Sequence, residues 1–527
     1  MPEDLSSPKY VLAIDLGTGG PKVGIVDQHG QVLCSASAPV QIFFLPGGGA
    51  EHDPTEWWSS IAQCVKQVLQ ASPVSPQSIV AIGVTSFWSV TVPVDQGGEP
   101  LMNAISWMDH RGARYTHEIT KGFPNVQGYQ LGTLLKYLSL HGFAPTQTDA
   151  LGHMLFIQHE RPEVYARTYK FFEPMDYINM RLTGRFAATQ NTVLPMILVD
   201  NRRLNNRQYD PWLVKTGGVD LDKLPDLLPI DGIQGTLVPA IAQEWGLSPD
   251  TVVICGVNDN SCSAIGAGST GTAEPAAVMG TSGHMAFHVP FKKTDIFHTV
   301  CTIPSGVKDS YLFWADLANN GKVYESFIKN FLFVDEAAGI NGISRSMYER
   351  ADGLASDVPP GSEGVLFLPW FNGSLSPGED PYLRGGFLNL SHRTTRAHLT
   401  RAVFEGLAMN WRWLRTPAEQ LSGRHFQYWR LTGGGALSDV WSQIMADVIG
   451  LPMHRQADAR NNSVVGIALL AFSRLGLVKL EDVPNMIKFD RIFEPDPKNR
   501  AVYDKMFAQF SAARDKIRPV FHALNKT

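Results

Sequence analysis

Cysteine is scarce in this chain, and the few cysteines present are scattered. Five occur among 527 residues, with no Cys-x-x-Cys pair among them: Cys34, Cys64, Cys255, Cys262 and Cys301. Their odd number and wide spacing argue against a disulfide framework and against a structural zinc site. Isolated cysteines of this kind are typical of small core side chains in a reducing compartment, so we expect a cytoplasmic protein.

Long apolar runs and a dominant charge are missing as well. No run of 18 apolar residues occurs, and no basic N-terminal region precedes an apolar stretch, so the sequence predicts neither a membrane span nor a signal peptide. The net charge of −5 gives no bulk attraction for nucleic acid or for an anionic membrane. The expected partner is a small molecule, and any phosphate that it carries must be held by local amides, a cation or a metal.

The composition suits a large globular protein. Apolar residues make up 44% of the chain and charged residues 18%, so large cores can be buried. A chain of 527 residues is too long for one core, and two or three domains are expected.

The segment from Tyr10 to Asp27 combines two apolar runs with a glycine-rich turn. The first run ends in one acid, Asp15, the turn spans residues 17–20, and the second run starts at Lys22. This order predicts a β-hairpin whose backbone N–H groups can hold an anion, with Asp15 placed to hold Mg²⁺ against a nucleotide phosphate. An ordinary hairpin with a surface acid fits the same residues. A Walker loop is excluded because Val23 follows the lysine, and a Rossmann turn because a strand follows the glycines.

Both halves of the chain predict a similar succession of elements. In the first half, strands are expected at 9–15, 22–28, 31–38, 79–84 and 90–94, with a helix that begins after Asp53. In the second half, strands are expected at 276–279, 285–288, 300–303 and 311–314, before helices at 396–413 and 439–449. This internal duplication predicts two domains, residues 1–270 and 271–527, divided near 269–274 where the pattern breaks.

A second candidate site follows the apolar strand Val252–Cys255. Asn258, Asp259 and Asn260 come after Gly256 and precede small residues at helical spacing. Asp259 therefore stands where an acid can serve as a helix N-cap or as a general base, and the residues alone leave both roles open. The GxGxxG pattern at 266–271 ends this helix rather than following a strand, so it does not indicate a dinucleotide site.

Two further glycine-rich turns lie in the second half. The first is Gly280-Thr-Ser-Gly283 between two strands, and the second is Gly433-Gly-Gly before a helix that starts near Ser438. Glycines in such turns let a phosphate or a flat ring lie against backbone, although each alone fits a structural turn. The ordered set of two glycine hairpins, two strand-end acids and a glycine turn before a helix favours a nucleotide site.

That set resembles the FGGY family of carbohydrate kinases, within the actin-like ATPase superfamily. The similarity runs from about residue 8 to about residue 480 and is carried by Asp15–Lys22, Glu51–Trp58, Trp107–Arg111, Asp176–Gly184, Gly256–Gly268, Gly280–Gly283, Gly386–Glu405 and Gly433–Asp439. The resemblance implies an α/β fold of two ribonuclease-H-like domains with ATP in the cleft between them. It also implies a sugar-binding N-terminal domain, a nucleotide-binding C-terminal domain, Mg²⁺ as a cofactor, and homodimer formation as one option.

The resemblance also implies roles for individual residues. Asp259 would be the catalytic base, and Asp15 would orient Mg²⁺. ATP would be held by Asp15, Gly17, Thr18, Gly19, Gly20, Lys22, Gly280, Thr281, Ser282, Gly283, Gly321, Gly434, Gly435 and Asp439. The acceptor side would comprise Trp88, Ser89, Asp109, Arg111, Asp259 and Asn260.

Within the family the chain is most similar to xylulose kinases, which makes a ketopentose such as D-xylulose the expected acceptor. Their Gln-Met-His-Gly element is replaced by Phe87-Trp-Ser-Val90, and their Gly-Glu-Arg-Thr-Pro loop by Gly373-Ser-Leu-Ser-Pro377. Trp88 is therefore expected either to stack on the sugar or to belong to the core. The alternatives are a kinase for ribulose, glycerol or a deoxy-sugar, a sensor that binds sugar or ATP without turnover, and a chaperone- or actin-like ATPase.

Overall fold

The structure, a computed structural model, describes residues 8–126, 128–271, 274–337 and 343–526. Its β-strands are β1 Tyr10–Gly17, β2 Gly20–Asp27, β3 Val32–Ser37, β4 Phe43–Leu45, β5 Gly49–His52, β6 Ile79–Ser86, β7 Val92–Val94, β8 Ala104–Ile105, β9 Asn125–Val126, β10 Tyr129–Gln130, β11 Lys170–Phe172, β12 Ala187–Thr189, β13 Asp226–Leu228, β14 Ile233–Thr236, β15 Val252–Ile254, β16 Val257–Asn258, β17 Ala276–Met279, β18 Gly283–Val289, β19 Thr294–Asp295, β20 Val300–Pro304, β21 Tyr311–Asp316, β22 Leu366–Leu368, β23 Gly386–Leu388, β24 Trp429–Thr432, β25 Met453–Gln456 and β26 Phe489–Phe493.

The α-helices of the described residues are α1 Pro54–Ala71, α2 Ala113–Thr120, α3 Leu131–Leu140, α4 Ala150–Glu160, α5 Pro162–Arg167, α6 Pro174–Thr183, α7 Pro211–Gly217, α8 Pro239–Trp245, α9 Asp259–Gly266, α10 Gly321–Phe327, α11 Val334–Ala337, α12 Arg345–Ser356, α13 Arg396–Ser422, α14 Asp439–Ile449, α15 Asn462–Arg474, α16 Val483–Met486 and α17 Arg500–Asn525. No helix among the described residues has the length and apolar character needed to cross a lipid bilayer.

Two large mixed sheets organise the molecule, and we call each sheet with its helices a lobe. The N-terminal sheet has the order β14-β15-β6-β1-β2-β3, with β16 also paired to β6. The C-terminal sheet has the order β19-β20-β21-β18-β17-β24-β25-β26. From β3 to β14 and from β21 to β26, the pairings run antiparallel, antiparallel, parallel, parallel, antiparallel in both sheets. The predicted internal duplication of architecture is therefore observed.

Alternation along the first strand assigns its side chains to two different cores. Leu12, Ile14 and Leu16 face a cluster that contains Trp57 of α1 and residues of α6. Val11 and Ala13 face the opposite side, where residues of α9 and α15 pack. A strand buried on both faces reads as a continuous apolar run rather than an alternating one, which is why β1 shows no polar positions before Asp15.

Helix α15 follows β25 of the C-terminal sheet yet packs against the N-terminal lobe. Its contacts are with α9, β1, β2 and β6. The two helices cross so closely that a Cβ atom at Gly466 would lie 1.9 Å from the carbonyl oxygen of Cys262, and one at Gly266 would lie 1.7 Å from that of Asn462. Glycine is required at both positions because any side chain would enter the neighbouring backbone.

Most of the predicted elements are present, with shifted ends. The strand expected at 90–94 covers only Val92–Val94, and the helix expected at 396–413 continues to Ser422. The helix after Asp53 is capped as predicted, since the Asp53 carboxylate accepts a 2.8 Å hydrogen bond from the Thr55 N–H. Residues 272–273, at the predicted domain boundary, lie outside the described residues. A division at 270/271 stays a prediction.

Candidate functional site

The first glycine turn is a two-residue hairpin loop made of Thr18 and Gly19. Strands β1 and β2 pair as far as Gly17 opposite Gly20. Gly20 has φ +134°, and a Cβ atom there would lie 2.0 Å from the Ala38 carbonyl oxygen, so only glycine fits. No atom lies within 4 Å of a Cβ position at Gly19, so the tip of the turn faces open space.

Two side chains connect this turn to distant parts of the chain. The indole N–H of Trp107, a residue 45% exposed, donates a 3.3 Å hydrogen bond to the hydroxyl of Thr18. The ammonium of Lys22 donates to the carbonyl of Arg460, in the loop before α15. Lys22 also lies opposite Asp15 in the hairpin. Burial raises the pKa of the Asp15 carboxyl, and the charge of Lys22 lowers it by a smaller amount.

Strand register brings Asp15 and Asp259 to the same end of the N-terminal sheet. Asp15 and Val257 both lie beside Thr85, on opposite sides of β6, and Asp259 follows two residues after Val257. Burial raises the pKa of Asp15 to about 6. Burial, with the negative charges of Asp15 and Asp316, raises the pKa of Asp259 to about 8. The Oδ1 atom of Asp259 is buried without a hydrogen-bond partner among the described residues, so this carboxyl is available to a ligand.

Asn258, rather than Asp259, caps helix α9. Its side-chain oxygen accepts a 2.9 Å hydrogen bond from the Ser261 N–H, and its own N–H donates to Asn191. Asp259 is the first residue of the helix. The N-cap interpretation of Asp259 is therefore wrong, because the residue before it performs that role, and the general-base hypothesis no longer competes with it.

A third carboxylate, Asp316, comes from the C-terminal lobe and was not found by sequence reasoning. It ends β21, lies opposite His284 of β18, and accepts a 2.6 Å hydrogen bond from the Ala318 N–H. Burial raises its pKa to about 6, and its charge helps to raise that of Asp259. Asp316 of the C-terminal lobe is thus near enough to Asp259 of the N-terminal lobe for its charge to act on that carboxyl. An apolar run that ends in one acid, as at Asp15, was the available signal.

The second glycine turn is held from behind by Asn320. The Gly280 carbonyl accepts hydrogen bonds from the Gly321 N–H at 3.0 Å and from the Asn320 amide at 3.1 Å. The indole of Trp411 donates at 3.2 Å to the Asn320 side-chain oxygen. A Cβ atom at Gly321 would lie 2.5 Å from the Gly280 oxygen, so this predicted nucleotide residue lies directly against the turn. Thr281 is exposed at the tip, beside half-buried Ser282.

The third glycine turn meets the second because β17 and β24 are parallel neighbours. A Cβ atom at Gly433, where φ is +91°, would lie 2.8 Å from the Met279 backbone, whereas one at Gly434 would meet nothing within 4 Å. Gly434 therefore borders open space, and Gly435 packs against Trp441. Asp439, at the start of α14, forms a 2.6 Å ion pair with Arg455 and contacts Arg491.

On the acceptor side, Trp88 contacts the opposite lobe. Its ring lies edge-to-face with that of Trp314, at a centroid distance of 5.4 Å. Phe87 packs in the N-terminal core against Trp57, and Trp88 is partly buried against the same core. Ser89 has φ +63°, and its hydroxyl donates a 2.7 Å hydrogen bond to the Thr148 carbonyl. Asn260 is buried one residue beyond Asp259.

Arg111 forms ion pairs with both Asp109 and Glu51. Arg111 lies 2.7 Å from Asp109 and 2.6 Å from Glu51. The Asp109 carboxylate also accepts a 2.9 Å hydrogen bond from the Ala50 N–H. These contacts pair the charges of Asp109 and Arg111. They also hold in place the segment that carries Trp107, whose indole reaches the first turn. A direct contact of either residue with an acceptor stays a prediction.

Comparison with known proteins agrees with this arrangement of two duplicated lobes around three glycine turns. Residues 10–266 match the N-terminal domain of the FGGY family of carbohydrate kinases, and residues 276–475 match its C-terminal domain. The chain belongs to this family. This FGGY kinase uses ATP as its phosphoryl donor, as the carbohydrate kinases of the family do.

Three relatives illustrate the range within the family. The FGGY kinase is 28% identical over 510 residues to a xylulose kinase of Staphylococcus epidermidis, with 96% of both chains covered. It is 24% identical over 507 residues to a gluconokinase of Bacillus licheniformis, with 95% and 94% covered. The crystal structure of xylulose kinase from Rhodospirillum rubrum superposes with a TM-score of 0.83 at 26% identity, covering 98% of this chain and 100% of that one. Sugar kinase activity is thereby supported, while the acceptor is not fixed.

The carboxylates of the FGGY kinase fit Mg²⁺ bound together with a nucleotide. Among the described residues, no three His, Cys, Asp or Glu side chains are grouped to hold a metal by themselves. Mg²⁺ commonly uses one or two carboxylates, substrate phosphates and several waters instead. Asp15 beside the first glycine turn, with Asp259 close by, provides such a partial set.

Proposed function

We propose that this FGGY kinase transfers the γ-phosphoryl group of MgATP to a hydroxyl of a ketopentose such as D-xylulose. The observation that carries the proposal is the carboxyl of Asp259, which has a buried, unpartnered oxygen and whose pKa is raised by burial and by the charges of Asp15 in the same lobe and Asp316 in the other. The choice of acceptor is supported by relatives named xylulose kinase along nearly the whole chain.

Asp259 acts as the general base in this mechanism. Its unpartnered oxygen accepts the proton of the acceptor hydroxyl as the new oxygen–phosphorus bond forms and the bond to ADP breaks. A pKa of about 8 lies near the operating pH, which suits a group that must take a proton in one step and release it in another. Asn258 and Asn191 fix the start of α9, so the Asp259 carboxyl keeps its position during the transfer.

The glycine turns hold the nucleotide from both lobes. Backbone N–H groups of residues 17–20 and 280–283, with the hydroxyl of Thr281, bind phosphate oxygens, because successive amides in a turn form an anion-binding concavity. Gly434, Gly435 and Asp439 bracket the adenosine, with Gly321 beside the phosphates. Mg²⁺ would supply charge neutralisation on the phosphates, and Asp15 would hold it.

An acceptor panel tests the proposal directly. ADP release is measured with D-xylulose, D-ribulose, glycerol and a deoxy-sugar, and D-xylulose is expected to give the highest kcat/KM. A higher kcat/KM for another sugar would assign that sugar as the acceptor and leave the kinase activity supported. Tight sugar binding without ADP release for any acceptor would overturn the kinase and establish a sensor.

Three broader expectations accompany the enzyme and have their own tests. We infer that it works in the cytoplasm, that residues 1–270 and 271–527 form its two domains, and that it forms a homodimer. Light scattering of the purified chain measures the oligomeric state, and limited proteolysis between the two matched regions, after residue 266 and before residue 276, examines the boundary.

A further inference from the structure

His284 follows the second glycine turn directly, on the strand that leaves it. Strand β18 begins at Gly283, and His284 lies directly opposite Asp316 of β21. Opposite residues of an antiparallel pair place their side chains on the same face, with Cβ atoms about 4.5–5.5 Å apart. The His284 side chain is therefore a neighbour of the carboxyl whose charge acts on Asp259.

The face of β18 that carries His284 packs against the N-terminal lobe. Met285 belongs to the core of the C-terminal lobe, so its neighbours His284 and Ala286 share the opposite face of the sheet. Ala286 forms an apolar cluster with Leu194 and Ala264 of the N-terminal lobe. His284 consequently projects toward that lobe.

Helix α9 runs along β18 and brings the proposed base to its His284 end. The two elements pack against each other. Just beyond the end of α9, the Ser269 carbonyl accepts a 2.7 Å hydrogen bond from the His288 imidazole. At the start of α9, Asp259 experiences the charge of Asp316, the partner of His284 in the sheet. His284 therefore lies at the end of β18 where α9 starts.

The two histidines of β18 differ in their hydrogen bonds. Both nitrogens of His288 are bonded, to the Ser269 carbonyl at 2.7 Å and to the Ser305 hydroxyl at 2.8 Å. The Nε2 atom of His284 is buried and has no hydrogen-bond partner among the described residues. Burial lowers the pKa of both imidazoles to about 4, so each is neutral near pH 7 and carries one N–H. An unpaired buried nitrogen is costly, and a ligand atom would satisfy it.

A phosphate oxygen of the nucleotide fits the open nitrogen of His284. Under the proposed function, the amides of residues 280–283 hold the phosphates, and the acceptor hydroxyl meets Asp259. The terminal phosphoryl group must come within reach of both, because it is the group that moves. His284 follows the turn and lies on the side of the base, so it meets this group first. Phosphate oxygens accept hydrogen bonds, which selects the tautomer with the hydrogen on Nε2.

We infer that the Nε2–H of His284 donates a hydrogen bond to the terminal phosphoryl group of bound ATP. The hydrogen stays on the imidazole throughout the transfer, while the acceptor proton goes to Asp259. The bond stabilises negative charge on the transferred group without adding a positive charge to the site. This inference rests on the proposed function for the position of the phosphates, and it adds a side-chain contact beyond the glycine turns.

Two nucleotides that differ in the terminal phosphate test the contact in the full-length protein. Calorimetry in the presence of Mg²⁺ measures the Kd of ADP and of AMP-PNP, a non-hydrolysable ATP analogue, for the wild type and three variants. His284→Phe keeps an aromatic ring and removes the donor, whereas His284→Gln supplies an amide N–H in its place. His288→Phe is the matched control, because it removes an imidazole from the same face of the same strand.

The expected result is a selective loss of affinity for the nucleotide with the third phosphate. His284→Phe should raise the Kd of AMP-PNP about tenfold, as for one hydrogen bond to a charged group, and leave that of ADP within about twofold. His284→Gln should recover most of the lost affinity. Equal losses for both nucleotides, no loss with His284→Phe, or no recovery with His284→Gln would overturn the inference.

Thermal melting adds a readout that is independent of nucleotide. The Tm of His288→Phe should fall, because two hydrogen bonds inside the protein are lost, whereas His284→Phe removes an unpaired nitrogen and should melt at or above the wild-type temperature. The His288 variant should keep the wild-type ratio of the two nucleotide affinities. A Tm of His284→Phe that falls as far as that of His288→Phe would contradict an unpartnered nitrogen at His284.

Sugar-dependent ADP release separates this inference from the kinase activity. Release by the wild type, together with unchanged nucleotide affinities in His284→Phe, would refute the His284 contact and leave the proposed function supported. No release with any sugar, together with a selective loss of AMP-PNP affinity in His284→Phe, would refute the proposed function and support the contact with the terminal phosphate.

Discussion

At the scale of the residue, Asp259 combines an unpartnered carboxyl oxygen with a cost in folding stability. Its carboxyl is buried and experiences the negative charges of Asp15 and Asp316, so the charged form is disfavoured. Functional carboxyls are often held in such environments, because a pKa near neutrality serves proton transfer.

Replacing Asp259 by asparagine should remove turnover but not folding. We expect kcat to fall at least about 100-fold, the lower end for loss of a general base, while ATP still binds. Steady-state kinetics measure the fall in kcat, and calorimetry measures ATP binding. Activity within tenfold of wild type would show that Asp259 is not the base.

The same variant has a pH-dependent effect on stability. The folded protein keeps the Asp259 proton up to about pH 8, whereas the unfolded chain releases it near the ordinary pKa of 3.8, so this group lowers wild-type stability as pH rises through that interval. The asparagine variant lacks this loss. The Tm of the variant minus that of wild type should therefore increase between pH 5 and pH 8 and stay constant above pH 8. A constant difference would show that the pKa of Asp259 is not raised.

Asp316→Asn tests the electrostatic link between the lobes. Asparagine keeps the acceptor for the Ala318 N–H but removes one negative charge near Asp259. The rising limb of the kcat/KM profile should consequently shift to lower pH. Glu274→Gln is the control, because this carboxyl accepts from the Gln427 N–H elsewhere in the C-terminal lobe. Identical profiles for both variants would exclude Asp316 as a neighbour of the base.

At the scale of the element, the second glycine turn depends on support from distant segments. Its strands follow from local signals, because glycines between two apolar runs encode a hairpin within a few residues. The support for the turn is not encoded locally, since Asn320, just before α10, and Trp411 of α13, which bonds to Asn320, are brought there by tertiary packing. Sequence reasoning therefore found the glycine turns, which are encoded locally, but missed Asn320, which depends on tertiary packing.

Asn320→Ala should loosen the phosphate turn. We expect the KM for ATP to rise about threefold to tenfold with a smaller change in kcat, because one hydrogen bond to Gly280 is lost and the Trp411 N–H is left unpaired. Asn410→Ala is a matched control: this asparagine accepts the same kind of bond from Trp370, at 3.2 Å. Equal KM values in both variants would contradict a positioning role for Asn320.

The acceptor side shows the same limit of sequence reasoning. Asp109 and Arg111 stand two positions apart, and their mutual contact could be suspected, but Glu51 joins them from 60 positions away. Trp88 meets Trp314 only because the lobes face each other. Family motifs identify the fold and the glycine turns, whereas these long-range contacts follow only from the tertiary structure.

At the scale of the whole molecule, the crossing of α9 and α15 connects the lobes. Gly466→Ala would place a methyl group 1.9 Å from the Cys262 carbonyl and should destabilise the protein by about 1–3 kcal/mol or more. Gly353→Ala, within α12, meets no atom within 4 Å and should instead stabilise by about 0.5–1 kcal/mol. Denaturant melts compare the two variants, and a Gly466→Ala protein as stable as wild type would contradict the close crossing.

The position of α15 also constrains the order of biosynthesis. The ribosome releases the strands of the first sheet early, but the helix that covers one face of that sheet ends at Arg474. That apolar face of the nascent N-terminal lobe therefore stays uncovered until nearly the whole polypeptide has left the ribosome. A chain truncated after the first half should consequently need chaperones or aggregate, and separate expression of the two halves should give active enzyme only when both are made together.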